Sequence, residues 1–468
     1  MEMTAMETLP SHDFLESRTL AFKRAKRLRG MPALTGDHGV AYQALALASL
    51  AEGSTRIDNL PDTPAMREAL DGFAALGLLR SEMLDGQVIV HGGSLGSEPA
   101  VPEGGITVRD ENLALILGGL IRGREIPARL VLDGHSIGAD VAGILATSEP
   151  GNPQAAKLEK ARLTGFRPRT LQWDDAQAKI FLIHQALADK KPLHLELKRP
   201  GCDALETLIA HFHGPLQIDK GEPPEGDELA RRIARQMKAS GNHDDSVHYK
   251  VAGDAELKPN ALTLPRDIHQ ASLWALLAVL IKGSDLVLEN VLLNPSRAGF
   301  FSALRRMGAD LEIVTRREKH GFAYGQVRVR GSELIAKRFD AEALSGMRDE
   351  AFLLTVAAAF AEGETIIRDA TFMRGYRVDL LKSFLGALKA AGVEAGEFED
   401  GVVVRGRPDY DGAAYDAEGH PGLAAACVAM ALKSHGQSTV AGAEGLLWQN
   451  PDFLHQLESL QADGKEQE

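Results

Sequence analysis

Two cysteines, Cys202 and Cys427, are all that the 468 residues contain. A disulfide framework and a cysteine-rich zinc site are therefore excluded, and a reducing compartment fits. No stretch approaches the roughly 20 apolar residues needed to span a bilayer. The first thirty residues hold scattered acids and a basic run, FKRAKRLRG (22–30), where a secretory signal would carry an apolar core. Positive charge is in deficit: 52 Lys and Arg stand against 65 Asp and Glu, a net charge of −13. That balance disfavours general binding to nucleic acid or an anionic membrane. The expectation is a soluble cytoplasmic protein with neither as a partner.

What is present is ordinary folded-protein material, 44% apolar and 25% charged. The length exceeds one core and calls for two or more domains. One unit recurs six times: an Ala/Leu-rich helix, a short turn with Gly or Lys, then a β-rich segment. Its copies are YQALALASLAEGSTRIDNL (42–60), LALILGGLIRGREIPARLVLDG (113–134) and AKIFLIHQALADKKPLHLELKRP (178–200). ASLWALLAVLIKGSDLVLENVLLNP (271–295), AFLLTVAAAFAEGETIIRDATF (351–372) and GLAAACVAMALKSHGQSTVAGAEG (422–445) complete the set. These helices are apolar on nearly every side, which predicts burial. A second, amphipathic helix follows in most units, as in PAMREALDGFAALG (64–77), and GQVIVHGG (86–93) or GQVRVRG (325–331) alternates like a half-buried strand.

Six α/β units in two groups of three, with helices inside and sheets outside, is the fold expected. The alternative, a doubly wound α/β sheet, places its helices outside and makes them amphipathic. The polar segment 214–262, with one helical piece at 228–239, is read as closing the third unit and holding the crossover between domains. Its HFH (211–213), His243 and His248 match no zinc spacing and read as loop. No metal or cofactor is expected.

The turn Gly36-Asp37-His38-Gly39 runs into the first buried helix, a place where backbone N–H groups hold anions. With LIKGSDLVLENVLLNPSRAGFFSALRRMGADLEI (280–313), DEAFLLTVAAAFAEGETIIRDATF (349–372) and NPDF (450–453), the chain resembles the enolpyruvyl transferase family. The resemblance runs from about residue 28 to 461 and is strongest with the 5-enolpyruvylshikimate-3-phosphate synthase branch. It implies an α/β fold of two domains, an inside-out barrel of six repeats with buried helices and outer sheets. Residues 1–33 would pack with the second domain, 34–262 would form the first, 263–461 the second, and 462–468 a disordered tail. It also implies a monomer that closes on a small molecule in the interdomain cleft. The family chemistry, in the shikimate pathway, transfers a carboxyvinyl group from phosphoenolpyruvate to shikimate 3-phosphate and expels phosphate.

The site motifs of that family are altered together. Where it has Pro-Gly-Asp-Lys-Ser-x-Ser-His-Arg, this chain keeps Gly36 and Asp37, but His38 replaces the catalytic lysine, Gly39 a serine and Gln43 an arginine. RDENLAL (109–115) puts Leu115 at an arginine position, and the Arg-rich loop has become DGHSIGADVAG (133–143). MRDEAF (347–352) retains the catalytic carboxylate as Asp349, with Glu350 beside it. RGYRVDL (374–380) keeps Arg374 and Asp379 but ends in Leu380, with Tyr376 for a lysine and Arg377 for a glutamate. EGHPG (418–422) keeps His420 but has Pro421 for an arginine, and Trp448 occupies a lysine position. DDAQAKIF (174–181) keeps Gln177 and Lys179, and PRDIHQAS (265–272) keeps Asp267.

By resemblance, Asp37, Gln177, Lys179, Asp267, Glu350, Arg374 and Arg377 are the substrate-side candidates, and Asp349 and His38 the catalytic ones. Each charged hydrogen bond contributes about 1.5–3 kcal/mol. Replacing about five cations with His, Leu, Leu, Pro and Trp removes on the order of 7–15 kcal/mol of gross ligand stabilisation. An inactive or repurposed paralogue is thus the first expectation. An active carboxyvinyl transferase using Asp349 and His38 as its acid–base pair is the second.

Plainer roles stand beside these. Asp349 and Glu350 suit the cap of a helix over 350–361, and His38 suits a satisfied turn. Arg297 is read as supporting a helix start and His420 as structural. FKRAKRLRG reads as a solvated run with the cleft mouth as its alternative place.

Overall fold

The computed structural model describes residues 19–84, 87–93, 99–133, 139–146, 167, 174–219, 246–254, 256–344, 346–374 and 379–462. Each of the six Ala/Leu-rich segments forms a helix. They are α1 (His38–Leu50), α2 (Glu111–Arg124), α3 (Asp175–Asp189), α4 (Ile268–Leu280), α5 (Glu350–Ala359) and α6 (Pro421–Lys433). Alanine and leucine are strong helix formers, and a helix apolar all round leaves water on every face. Every residue of α5 is buried, and in α4 all but His269.

Among the described residues, six sheets lie around these helices. In the second half Asp310–Lys319, Phe322–Arg330, Asp285–Leu292 and Arg29–Gly30 make one four-stranded sheet. Strand alternation does the sorting. Val327 and Val329 point into the core, while Arg328 and Arg330 turn outward to Asp285 and Asp310. The first half repeats the scheme with Gly53–Asp58, Gln87–Gly92 and Arg80–Leu84, and with Leu193–Leu197, Val247–Val251 and Leu216–Asp219. Buried helices and outer sheets are the inside-out arrangement, which disposes of the doubly wound alternative.

The turn from each buried helix into its strand needs a positive φ. Gly53, Gly283 and Gly436 supply it at 125°, 80° and 76°, and after α5 Gly363 takes 104° as the third residue of the strand Ala361–Ile367, while Glu125 and Lys190 take left-handed values of 52° after α2 and α3.

The two halves meet where the chain passes between them. The Asp37 amide donates to the Pro265 carbonyl and the Asp267 amide to the Thr35 carbonyl, both at 2.9 Å. Leu20–Lys23 pairs with Gln437–Ala441 and Arg29–Gly30 with Asp285–Leu292, so the segment before the first half is built into sheets of the second.

Three expectations need correction or lie elsewhere. FKRAKRLRG does not line the cleft mouth: residues 24–27 lie against the C-terminal ends of α4 and α6. Helix α5 ends at Ala359. The helical piece 228–239, His243, Tyr376, Arg377 and the tail from 463 fall outside the described residues. No helix of the described residues is long and apolar enough to cross a membrane, and no cluster of three or more His, Cys, Asp or Glu among them is arranged to hold a metal.

Helices α2 and α3 approach through glycine. A methyl group at Gly119 would lie 2.5 Å from the Phe181 carbonyl oxygen, and one at Gly123 would lie 2.6 Å from the Ala188 methyl. The obstacle at Gly119 is backbone and cannot swing aside. Gly119→Val is expected to destabilise the protein by about 3 kcal/mol in chemical denaturation, as overpacked cores do. An unchanged midpoint would contradict this packing.

Candidate functional site

Carboxylates gather at the N-termini of the buried helices. The residues preceding α1 to α6 are Asp37, Asp110, Asp174, Asp267, Asp349 and His420. Four of the aspartates accept from amides of the first turn, as an N-cap should: Asp37 from Val40, Asp110 from Leu113, Asp174 from Ala176 and Gln177, and Asp267 from Gln270. The His420 ring accepts from the Leu423 amide at 3.2 Å, the structural role expected of it. Asp349 is the exception. Its backbone is already helical and its side chain makes no cap hydrogen bond, so capping does not explain it.

The anion-type turn of the sequence has become a crossed pair. Asp37 and Asp267 each cap their own helix with one oxygen, and with the other accept from the opposite helix: Ile268 to Asp37 at 3.4 Å and His38 to Asp267 at 3.3 Å. The His38 ring closes the knot, with Nδ1 3.0 Å from Asp267 and Nε2 2.9 Å from the Thr63 hydroxyl. Both ring nitrogens are thereby engaged in a side chain only 4% exposed. Burial and the neighbouring Asp267 raise the Asp37 carboxyl. Burial acts the same way on Asp267 but loses to the His38 contact, which holds it below the usual range.

A second cluster ties α4 and α5 together. Arg297 reaches the Glu350 carboxylate at 3.1 Å and His269 stands 3.6 Å from it. Burial works against both charges, yet Arg297 and His269 hold Glu350 far below its ordinary value, and Glu350 lifts His269 to about 9. Arg297 is therefore more than the helix support expected of it. A third cluster crosses the cleft: Glu111 takes Gln177 at 2.9 Å from the first half and Arg348 at 2.5 Å from the second. Lys179, 1% exposed, is turned into the interior, where Glu206 and the Cys202 carbonyl each hold it at 2.6 Å.

Arg374 sits apart, bound to Asp379, Glu397 and the carbonyls of Phe398 and Glu399. Asp349, its side chain 41% exposed, stands 3.9 Å from His420. Leu115, Leu380 and Pro421 are buried, and Trp448 is 8% exposed on the helix Glu444–Gln449, which rests against Pro64–Ala75 of the first half. Arg348, Glu111, Asp110 and His269 were not singled out in the sequence. A basic residue beside Asp349 and the acidic pair Asp110-Glu111 were the available signals.

The resulting field is negative near α1. Burial first, then Asp110, Glu68, Asp267 and Asp37, push the Tyr42 hydroxyl well above its ordinary value. That hydroxyl and the Gln43 Oε1 are buried without a protein hydrogen-bond partner.

Residues 223–457 match the family model for EPSP synthase (3-phosphoshikimate 1-carboxyvinyltransferase). Proteins named 3-phosphoshikimate 1-carboxyvinyltransferase are 29% identical in Synechococcus sp. strain CC9605, over 94% of this chain and 97% of that one, and 27% in Sphingopyxis alaskensis, over 82% and 85%. EPSP synthase from Acinetobacter baumannii superposes with a TM-score of 0.71 at 20% identity, covering 95% of this chain and 98% of that one. The enolpyruvyl transferase NikO from Streptomyces tendae gives 0.63 at 15%, covering 95% and 97%. These solved structures bear on the fold.

One carboxylate of the site has a measurable signature. Burial, partly offset by the Leu113 amide, pushes Asp110 up to about 6. The native state then takes up a proton below pH 6 that the unfolded chain accepts only near its ordinary pKa, about 3.9, so stability falls as pH rises through that window. Asp110→Asn keeps a competent cap and removes the charge. Denaturant melts are expected to show it more stable than the parent by about 1–3 kcal/mol at pH 8, with the gain at least halved at pH 4.5. An equal gain at both pH values would contradict the assignment.

Proposed function

Because the chain belongs to the EPSP synthase family, we propose that it keeps the scaffold and has given up the family's phosphoenolpyruvate site, serving as an inactive or repurposed paralogue. The observation that carries this reading is the pairing of the remaining cations with the protein's own carboxylates. An anion would have to take Arg297 from Glu350, and breaking a buried pair costs about 3–5 kcal/mol. The charged hydrogen bond gained in return contributes about 1.5–3 kcal/mol. The exchange is unfavourable before the ligand meets Asp110, Asp267 and Asp37.

The second reading, an active transferase with Asp349 and His38 as acid and base, loses its partner in this geometry. His38 is buried with both nitrogens engaged, and the Asp349 carboxylate stands 3.9 Å from the His420 ring instead. The Tyr42 hydroxyl and the Gln43 amide oxygen, both unpaired and buried among carboxylates, suit a small neutral or cationic polar ligand instead.

Phosphate release from phosphoenolpyruvate and shikimate 3-phosphate, followed by a coupled assay on folded protein, is expected to stay at background. Steady turnover that is lost in Asp349→Ala would replace this reading with the second.

A further inference from the structure

The basic run of the N-terminal segment has a use that the cleft does not absorb. Residues 24–27 lie across the C-terminal ends of α4 and α6, some 20 Å of helix away from the carboxylate cluster. They enclose a recess of about 190 Å³ lined by Arg24, Lys26, Arg27, Lys282 and Lys433 on an apolar floor that includes Leu280, Ile281 and Leu432. Among the described residues the lining holds five cations and no acid, in a chain whose net charge is −13.

Helix C-termini attract cations, but two helices do not account for five. The corresponding recess of the first half, at the ends of α2 and α3, shows the ordinary balance: Arg122 and Lys191 are matched by Glu125 and Asp189. Around the basic recess the carboxylate of Asp409 is shared by Arg24 at 3.0 Å, Lys433 at 3.7 Å and His435 at 3.3 Å. Neither Lys26 nor Lys282 forms an ion pair with a described residue. Burial lowers the half-buried Lys433, with Asp409 opposing the shift and Arg24 adding to it.

The rim is also fixed in place. The Ala25 amide donates to the Leu432 carbonyl at 2.7 Å, Leu28 to the Ser284 hydroxyl at 2.8 Å and Lys26 to the Gln461 side chain at 3.1 Å, while Phe22 and Leu28 are buried. Ordering of the segment is therefore already complete before an anion arrives, which favours binding.

We propose that this recess is a binding site for a small phosphate-bearing anion, free or as a phosphomonoester, held by Arg24, Arg27 and the ammonium groups of Lys26, Lys282 and Lys433. Isothermal titration with inorganic phosphate and, separately, with ribose 5-phosphate, at ionic strength matched with sodium chloride, tests it. Saturable binding of at least one is expected, weakened tenfold or more in Lys26→Gln/Lys282→Gln, retained in Lys26→Arg/Lys282→Arg and unchanged in Arg122→Gln/Lys191→Gln. The exposed lysines leave the fold intact. Absence of saturable heat from both anions with the parent protein, or the same affinity in Lys26→Gln/Lys282→Gln, would overturn the proposal.

Discussion

Asp37 and Asp267 hold the centre of the molecule. Each aspartate ends one buried helix and steadies the start of the other, across the point where the chain passes between halves. Two carboxylates this close repel, and His38 relieves that repulsion by standing against Asp267 and Thr63. A lysine at position 38 would extend further out; the short imidazole stays inside, against both groups.

The rule extends across the cleft. Among the described residues, cations there stand beside carboxylates: Arg297 with Glu350, Arg348 with Glu111, Lys179 with Glu206. Buried pairs of this kind are retained because dissolving them leaves a naked charge. One of them also spans the halves, since Arg348 and Glu111 come from opposite sides. Interactions that a bound anion would make in a binding cleft are made here by side chains of the chain itself.

The fold was legible because its signal is long and repeated. Six apolar helices, each followed by a turn with positive φ, leave no room for a sheet at the centre, and GQVRVRG alternates as a half-buried strand must. The site was legible only in what had been replaced. By resemblance Leu115, Pro421 and Trp448 stand where the family carries charge, but partners are set by tertiary approach. Nothing in the spacing says that Arg297 meets Glu350, 53 residues on, or that Arg348 meets Glu111, 237 residues back. Lys179 shows the same limit: its position in the motif suggests a ligand contact, and the glutamate that pairs with it lies on another helix. The basic run at 22–30 was visible as charge, but its place depended on which helix ends it crosses.

The account rests on a cleft whose sign opposes an anionic ligand. Calorimetric titration of the folded protein with phosphoenolpyruvate, in the presence of shikimate 3-phosphate, measures this most directly. No saturable heat attributable to the cleft, and none altered by Asp349→Ala, is predicted up to millimolar ligand, about −4 kcal/mol of binding free energy. Micromolar binding that Asp349→Ala alters would contradict it.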